Sequence, residues 1–304
     1  MAVISTANHP KSLWPGVRAW VMTVYKEYPE EFSQVFEVLS SSKAYEEDVE
    51  STAFDLAQIK PEGSAIAYTS NLQGATKRYT HITYALGFMV TMEEQEDNQY
   101  RDKAFNRGAL MARSFRLTKE IVHWNVLNRA FNSSYTGIDA KELIATDHPT
   151  LAGDQSNELS TAADLSEAAL EDLLIMIRLA KNSKGQPIAL KGQKLIVSAY
   201  DQFNAERILK STLQNDTANN AVNAVKSMGM LPGGYMVGTY LTDTDAWFVK
   251  TDAPNGLISF NRKGFTVQKD NDFDTKNDRN SGIERYSCGW TDWRGLYGSD
   301  GSGT

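Results

Sequence analysis

A chain of 304 residues, 41% hydrophobic and 23% charged, can bury a substantial core and fits one large domain or two smaller ones. Its formal net charge of -7, with no basic tract, excludes a sequence-reading nucleic-acid groove, so any contact with DNA is local and weak. The single cysteine, Cys288, excludes an intrachain disulfide and a cysteine-built zinc site and fits a reducing compartment, and no stretch approaches a membrane span or secretion signal, which points to synthesis in the cytoplasm.

Residues 1 to 62 carry short amphipathic pieces, Val17 to Tyr28 and Glu31 to Leu39, separated by Pro29 and followed by the polar run Ser40 to Glu50; this reads as an arm rather than a core. Between Ser64 and Val90, two β-rich runs, Ala65 to Thr69 and Thr76 to Val90, are joined by Asn71-Leu72-Gln73-Gly74, the pattern of a long hairpin.

Met92 to Phe131 contains no proline and one glycine, Gly108, and predicts a single helix of about forty residues. At about 1.5 Å per residue it would run on the order of 58 Å, against a diameter of about 50 Å for a compact globule of this length, so a flat or elongated molecule is expected. Thr91 and Glu94 form a capping box, and Glu93, Glu96 and Asp97 add negative charge at the positive end of the helix dipole. Phe105, Ala109, Ala112, Leu117, Ile121, Trp124 and Phe131 recur at three- and four-residue steps as a core stripe, which leaves Arg107, Arg113, Arg116 and Lys119 for solvent. Strict heptads are missing, which argues against a free coiled coil. Two helices broken near Gly108 are the competing expectation, since an interior glycine costs only about 1 kcal/mol.

After a loop containing Asp147-His148-Pro149, a helix is predicted from Leu165 to Lys181, with Asp164 and Glu167 as its cap pair. A strand over Lys194 to Ser198 and a helix over Tyr200 to Leu213, with Phe203, Ile208 and Leu209 on one side, make this stretch an α/β lobe. Gln214 to Asn223 reads as a polar surface loop. From Tyr235 the chain reads as strands, Tyr235 to Leu241, Ala246 to Lys250, Leu257 to Phe260, Phe265 to Lys269 and Gly282 to Thr291, followed by a tail, Gly298 to Thr304, that is flexible by composition.

Short motifs carrying chemistry are missing. There is no phosphate-cradling glycine loop, and His9, His81, His123 and His148 are scattered without metal-ligand spacing. Asp270, Asp272 and Asp274 alternate like a calcium loop, but Thr275 and Ser281 stand where that loop needs glycine and glutamate, so a solvated acidic turn is the better reading. Asp243 and Asp245 read as a turn, and Cys288 has only Arg285 as a basic neighbour in sequence. No catalytic residue, cofactor site or metal site is assigned, and the tryptophans, tyrosines and phenylalanines are assigned to core and subunit interfaces.

Several segments nevertheless carry a resemblance in their order and spacing. Leu13-Trp14-Pro15-Gly16-Val17, Tyr45-Glu46-Glu47-Asp48, Lys60-Pro61-Glu62-Gly63, Arg78-Tyr79-Thr80-His81-Ile82-Thr83-Tyr84, Ala145-Thr146-Asp147-His148-Pro149 and Asp243-Thr244-Asp245-Ala246-Trp247-Phe248 resemble the major head subunit of Mu-like tailed double-stranded DNA phages. So does the ending, Asp270-Asn271-Asp272-Phe273-Asp274 through Glu284-Arg285-Tyr286 to Gly289-Trp290-Thr291-Asp292.

The resemblance implies an α+β fold of the Hong Kong 97 type: an N-terminal arm (1–50), an extended hairpin loop (51–90), a peripheral domain with a long spine helix (91–155 and 244–304) and an axial α/β domain (156–243). It further implies a structural major capsid protein whose copies form hexamers and pentamers of an icosahedral head around double-stranded DNA, assembled in the bacterial host cytoplasm and ending in the virion. Expected partners are a separate scaffolding protein, because the chain starts almost directly at the arm, a portal, a decoration protein, and DNA contacted weakly. Trp14 on the arm and Asn71, Leu72, Gln73, Gly74, Arg78 and Tyr79 on the hairpin are the expected inter-subunit contacts. A nanocompartment shell of the same fold and an enzyme of unfamiliar chemistry are the competing readings.

Overall fold

The computed structural model describes residues 14–93, 100–213, 221–272, 274–275 and 277–301, with backbone alone at 14–20, 51 and 100–106. Helix α1 (Trp14–Glu27) leads through a 3-10 turn (Phe32–Gln34) into strands β1 (Glu37–Ser40) and β2 (Tyr45–Ser51). A wide loop returns through β3 (Gln73–Thr80) and β4 (Ile82–Val90) to the long helix α2 (Tyr100–Asn128). Helix α3 (Glu167–Arg178), β5 (Gly192–Val197), helices α4 (Gln202–Lys210) and α5 (Ala224–Ser227), and β6 (Tyr235–Val237) follow. Strands β7 (Trp247–Thr251), β8 (Leu257–Asn271), β9 (Asp278–Trp290) and β10 (Leu296–Ser299) complete the chain.

Two four-stranded sheets organise the molecule. One runs β1-β8-β9-β4, with β1 parallel to β8 and the other pairs antiparallel. The other runs β10-β7-β5-β6, with only β5 and β6 parallel. In the second sheet Leu195, Val197, Trp247, Val249 and Tyr297 face a core formed with α3 and α4, while Ile196, Phe248 and Leu296 face a core formed with Trp124, Leu127, Leu143 and Trp290. Alternation along each strand divides the side chains between two cores, so these strands are apolar on both faces. A third core joins α1, α2 and the first sheet through Val21, Val24, Ala112, Phe115 and Phe265.

Several sequence expectations change. Helix α2 runs unbroken through Gly108 and ends at Asn128, short of Phe131; 92 and 93 are helical, while Glu94, Glu96 and Asp97 of the expected cap lie outside the described residues. Gly108 marks a helix crossing rather than a break: a Cβ there would sit 2.7 Å from Val21 Cγ2 of α1. Arg116 and Lys119, expected in solvent, are buried, whereas Leu117 and Ile121 are exposed. The stripe was misassigned because Arg116 and Lys119 find anionic partners on residues 30 and 284, far away in sequence.

The hairpin also differs. Its strands are β2 and β3, paired from Tyr45↔Thr80 to Ser51↔Gln73, so half of the expected arm's polar run is a strand and Asn71 to Gly74 is not the turn. Ala65 to Thr69 forms no strand, and β4 leaves the hairpin to pair with β9. Two expected strands, 257–260 and 265–269, are one continuous strand, because register shifts between Asn261 and Thr266 leave Arg262, Gly264 and Phe265 outside the pairing as bulges. Ser166, not Asp164, caps α3, its hydroxyl accepting from Ala169 N at 3.2 Å. The expected domain boundary at 243/244 falls across one sheet, since β7 pairs with β5 on one side and with β10 on the other. Gly298 and Ser299, expected in a flexible tail, are buried in β10, and 302–304 lie outside the described residues, as does most of the expected polar loop, 214–220.

Candidate functional site

Residues 54 to 76 are exposed without interruption. Ile59 is 96% and Tyr68 93% exposed, and Phe54, Leu56, Ile66 and Leu72 are exposed as well. The neck beneath this loop is a charge-matched ribbon: the acidic strand Glu46-Glu47-Asp48 lies opposite Tyr79, Arg78 and Lys77. Arg78 approaches Glu47 at 2.6 and 2.8 Å and lies over the Tyr45 ring at 4.3 Å. Opposite charges directly across an antiparallel pair hold register, each pair contributing roughly 0.2–1 kcal/mol. Where the loop re-enters the body, Tyr79 is buried, its hydroxyl 2.6 Å from Thr291 Oγ1 and its ring 5.1 Å from Phe260. Gly289 leaves the space for that ring, since a Cβ there would lie 3.0 Å from Tyr79 Cε1.

The expected contact residues therefore separate into groups. Leu72 N donates to Thr52 Oγ1 at 2.7 Å and Thr52 N to the Leu72 carbonyl at 3.0 Å, which closes the neck beside Asn71, Gln73 and Gly74. Leu72, Gln73 and Gly74 remain exposed, Arg78 is engaged within the loop, and Tyr79 is buried within its own subunit. Trp14 begins α1, and its side chain lies outside the described residues. The loop also touches the α3 lobe, with Lys184 Nζ 2.8 Å from Asp55 Oδ1 and Gln186 Nε2 donating to the Phe54 carbonyl at 3.1 Å.

Beneath α2 lies a buried polar cluster invisible in the sequence. Lys119 Nζ is 2.7 Å from Glu284 Oε1, both side chains buried, and Tyr25 donates to the same carboxylate at 3.1 Å. Arg116 pairs with Glu30 and donates to the Tyr28 carbonyl at 3.1 Å. Glu120 accepts from Glu31 N and Phe32 N, each at 3.1 Å, and from Trp124 Nε1 at 3.2 Å; burial raises its pKa more than these donors lower it. Arg116 and Glu120 thus clamp the segment after α1 onto the spine, while Lys119 ties the spine to β9.

Among the described residues the titrating groups do not converge on a reactive arrangement. A cleft of about 510 Å³ between the loop neck and the second sheet is lined by Glu50, Asp139, Asp292 and Arg294. His148 Nδ1 lies 2.5 Å from Asp139 Oδ2 and Nε2 3.0 Å from Asn157 Oδ1, so both ring nitrogens are occupied and neither can serve a nucleophile. His123 donates to the Lys119 carbonyl and accepts from Ser259 Oγ, both at 2.7 Å, and burial holds its pKa down at about 3. His81 sits between Ser287 and Ser41, while His9 lies outside the described residues. Asp243 Oδ1 accepts from Asp245 N and Ala246 N in the expected turn, and Asp272 pairs with Arg279. Among the described residues no His, Cys, Asp and Glu cluster could hold a metal ion. Burial pushes the Cys288 thiol up to about 12, the opposite of an activated nucleophile.

A long helix packed on one sheet, an exposed loop on a β-ribbon neck and a lobe with a core on each face of its sheet therefore make up the described molecule. Residues 74–299 match the family described as phage capsid protein. The chain belongs to the phage capsid protein family.

Solved capsids share its architecture at low sequence identity. Mycobacterium phage Patience matches at 12% identity over 97% of this chain and 88% of that one, with a TM-score of 0.53. The capsid of a native GTA particle matches at 12% over 88% and 90% with a TM-score of 0.53. The capsid of Myoviridae phage XM1 matches at 9% over 90% and 94% with a TM-score of 0.52. No curated protein matches the sequence. The capsid protein thus has the α+β fold of the Hong Kong 97 type and serves as a structural subunit of a phage head shell.

Proposed function

We propose that copies of this capsid protein form hexamers and pentamers that close an icosahedral head around double-stranded DNA, without catalytic activity, and that its extended loop and N-terminal arm lie across neighbouring copies. The observation that carries this is the loop from 54 to 76, whose large apolar side chains have no cover within the subunit. An apolar surface of this kind marks a contact with another molecule. Arm, loop, peripheral and axial parts are read as 1–44, 45–80, 81–155 with 254–292, and 156–253 with 293–301, boundaries that keep β2 with β3 and β7 with β5 and β10, while the arm adds β1 to the edge of the peripheral sheet. Leu72, Gln73 and Gly74 remain proposed contact residues with Asn71 and Trp14; Arg78 contributes by stiffening the neck.

A separate scaffolding protein, a portal and a decoration protein complete the proposed head, assembled in the host cytoplasm. The Mu-like character rests on the segments quoted above. The net charge of -7 suits DNA held without tight phosphate contacts.

Electron microscopy and light scattering of the purified protein, alone and with its scaffold, test this reading. Rings, tubes or shells are expected; a stable small oligomer under all conditions would overturn it. Replacing residues 54–70 by a short turn should leave a folded subunit, judged by its thermal transition, that no longer assembles.

A further inference from the structure

The lobe built on the second sheet presents two unlike faces on opposite sides. Helices α3 and α4 contribute Leu170, Leu173, Leu174 and Ile177, and Ala205 and Ile208, to the same core, so they cover the same face of that sheet. Helix α3 packs by β10 and α4 by β6, the two ends of the strand order β10-β7-β5-β6. Each helix also carries large apolar side chains turned away from its core. On α3 and its cap these are Ile175, 57% exposed, and Leu179, 66% exposed; at α4 they are Tyr200, 78%, and Phe203, 67%.

Charge distinguishes the two faces. Asp172 precedes Ile175 by three residues and Leu179 by seven, on the outward stripe of α3. Arg207 and Lys210 follow Phe203 by four and seven residues, on the outward stripe of α4. Lys210 pairs with Glu206 of its own helix at 2.9 Å, whereas Asp172 and Arg207 have no ion-pair partner among the described residues. Arg178 beside Leu179 is offset on α3 by Glu171 as well as Asp172.

We propose that the α3 face of one copy docks on the α4 face of the next, Ile175 and Leu179 against Tyr200 and Phe203, with Asp172 opposite Arg207. This rests on the capsid reading and names the repeating contact of its rings. Different patches on opposite sides of one lobe give a head-to-tail contact, and such a contact closes into a ring when the rotation between copies allows. Opposite charges at its rim select the partner face and exclude face-to-own-face pairing.

Two experiments on the full-length protein test it. With Leu179→Cys and Phe203→Cys together, oxidation by copper phenanthroline should give a ladder of covalent multimers ending at a ring, while each single variant stays monomeric on a non-reducing gel. Dimers from a single variant would overturn the head-to-tail arrangement. Asp172→Arg or Arg207→Asp alone should lower the yield of rings at least about tenfold, because like charges then face each other, with the thermal transition of the subunit unchanged. Both reversals in one chain should restore assembly. Co-expressing the two single variants should restore hexamers but not pentamers, since alternation needs an even ring. Normal assembly of either single variant, together with no cross-linking of the double cysteine protein, would overturn the contact and leave the capsid reading standing. Failure of the wild-type protein to assemble at all would overturn both.

Discussion

Replacing Lys119 by methionine should be among the most damaging single changes under the spine helix. Its ammonium lies 2.7 Å from Glu284 Oε1, with the two side chains 7% and 1% exposed. At an effective dielectric of about 20, two unit charges at that separation attract by roughly 6 kcal/mol, a gain that the desolvation of both ions largely offsets. Lys119→Met removes the attraction but leaves the Glu284 carboxylate buried, with the Tyr25 hydroxyl the one remaining side-chain donor to it among the described residues. The expected loss is about 3–5 kcal/mol. In Lys119→Met/Glu284→Gln both charges are gone and the amide oxygen still accepts from Tyr25, so stability should return to within about 1–2 kcal/mol of wild type. Urea unfolding of the unassembled subunit, followed by tryptophan fluorescence, measures both. A single-mutant loss below about 1 kcal/mol, or a double mutant as unstable as the single changes summed, would refute this account of the pair.

Further outcomes follow from other sites. Gly108→Ala should destabilise by about 1 kcal/mol despite the better helix propensity of alanine, because its methyl group meets the buried, χ1-stiff Val21; a higher melting temperature would show that α1 does not press on the spine there. His123, with its folded pKa near 3 and its ordinary value at 6.5, stays neutral in the native state while the unfolded chain takes up a proton. Stability should therefore fall as pH drops from 6.5 towards 3, by up to about 1.4 kcal/mol per unit from this group, and His123→Gln should flatten that slope. Burial, then Asp300 and Glu142, raise Glu158 to about 6, so its contribution to stability is full below its unfolded value and is lost as pH rises through 6. Glu158→Gln should accordingly raise the melting temperature relative to wild type at pH 8 and not at pH 4, and an equal effect at both would argue against a strained carboxylate. Cys288 should resist thiol reagents in the native state at pH 8 and react on unfolding; rapid native labelling would contradict its raised pKa.

Local chemistry settled much of this protein in advance. The spine helix, the helix expected over 165–181 and found over 167–178, and the strands expected over 194–198 and 246–250 and found over 192–197 and 247–251 were legible because helical and strand periodicities are short-range properties of the chain. The order of the quoted segments also pointed to the family before any geometry was known. What tertiary structure alone decided is which polar groups go inside and which strands pair. Arg116 and Lys119 look like solvent-facing charges until Glu30 and Glu284 arrive from 86 and 165 residues away. The hairpin runs between Tyr45 and Thr80 because the acidic run 46–48 finds the basic pair Lys77 and Arg78 across the ribbon, whereas Ala65 to Thr69, strand-like in sequence, finds no strand to pair with among the described residues. Strand formation and burial of charge both depend on a partner supplied by the fold, and a single sequence carries no record of that distance.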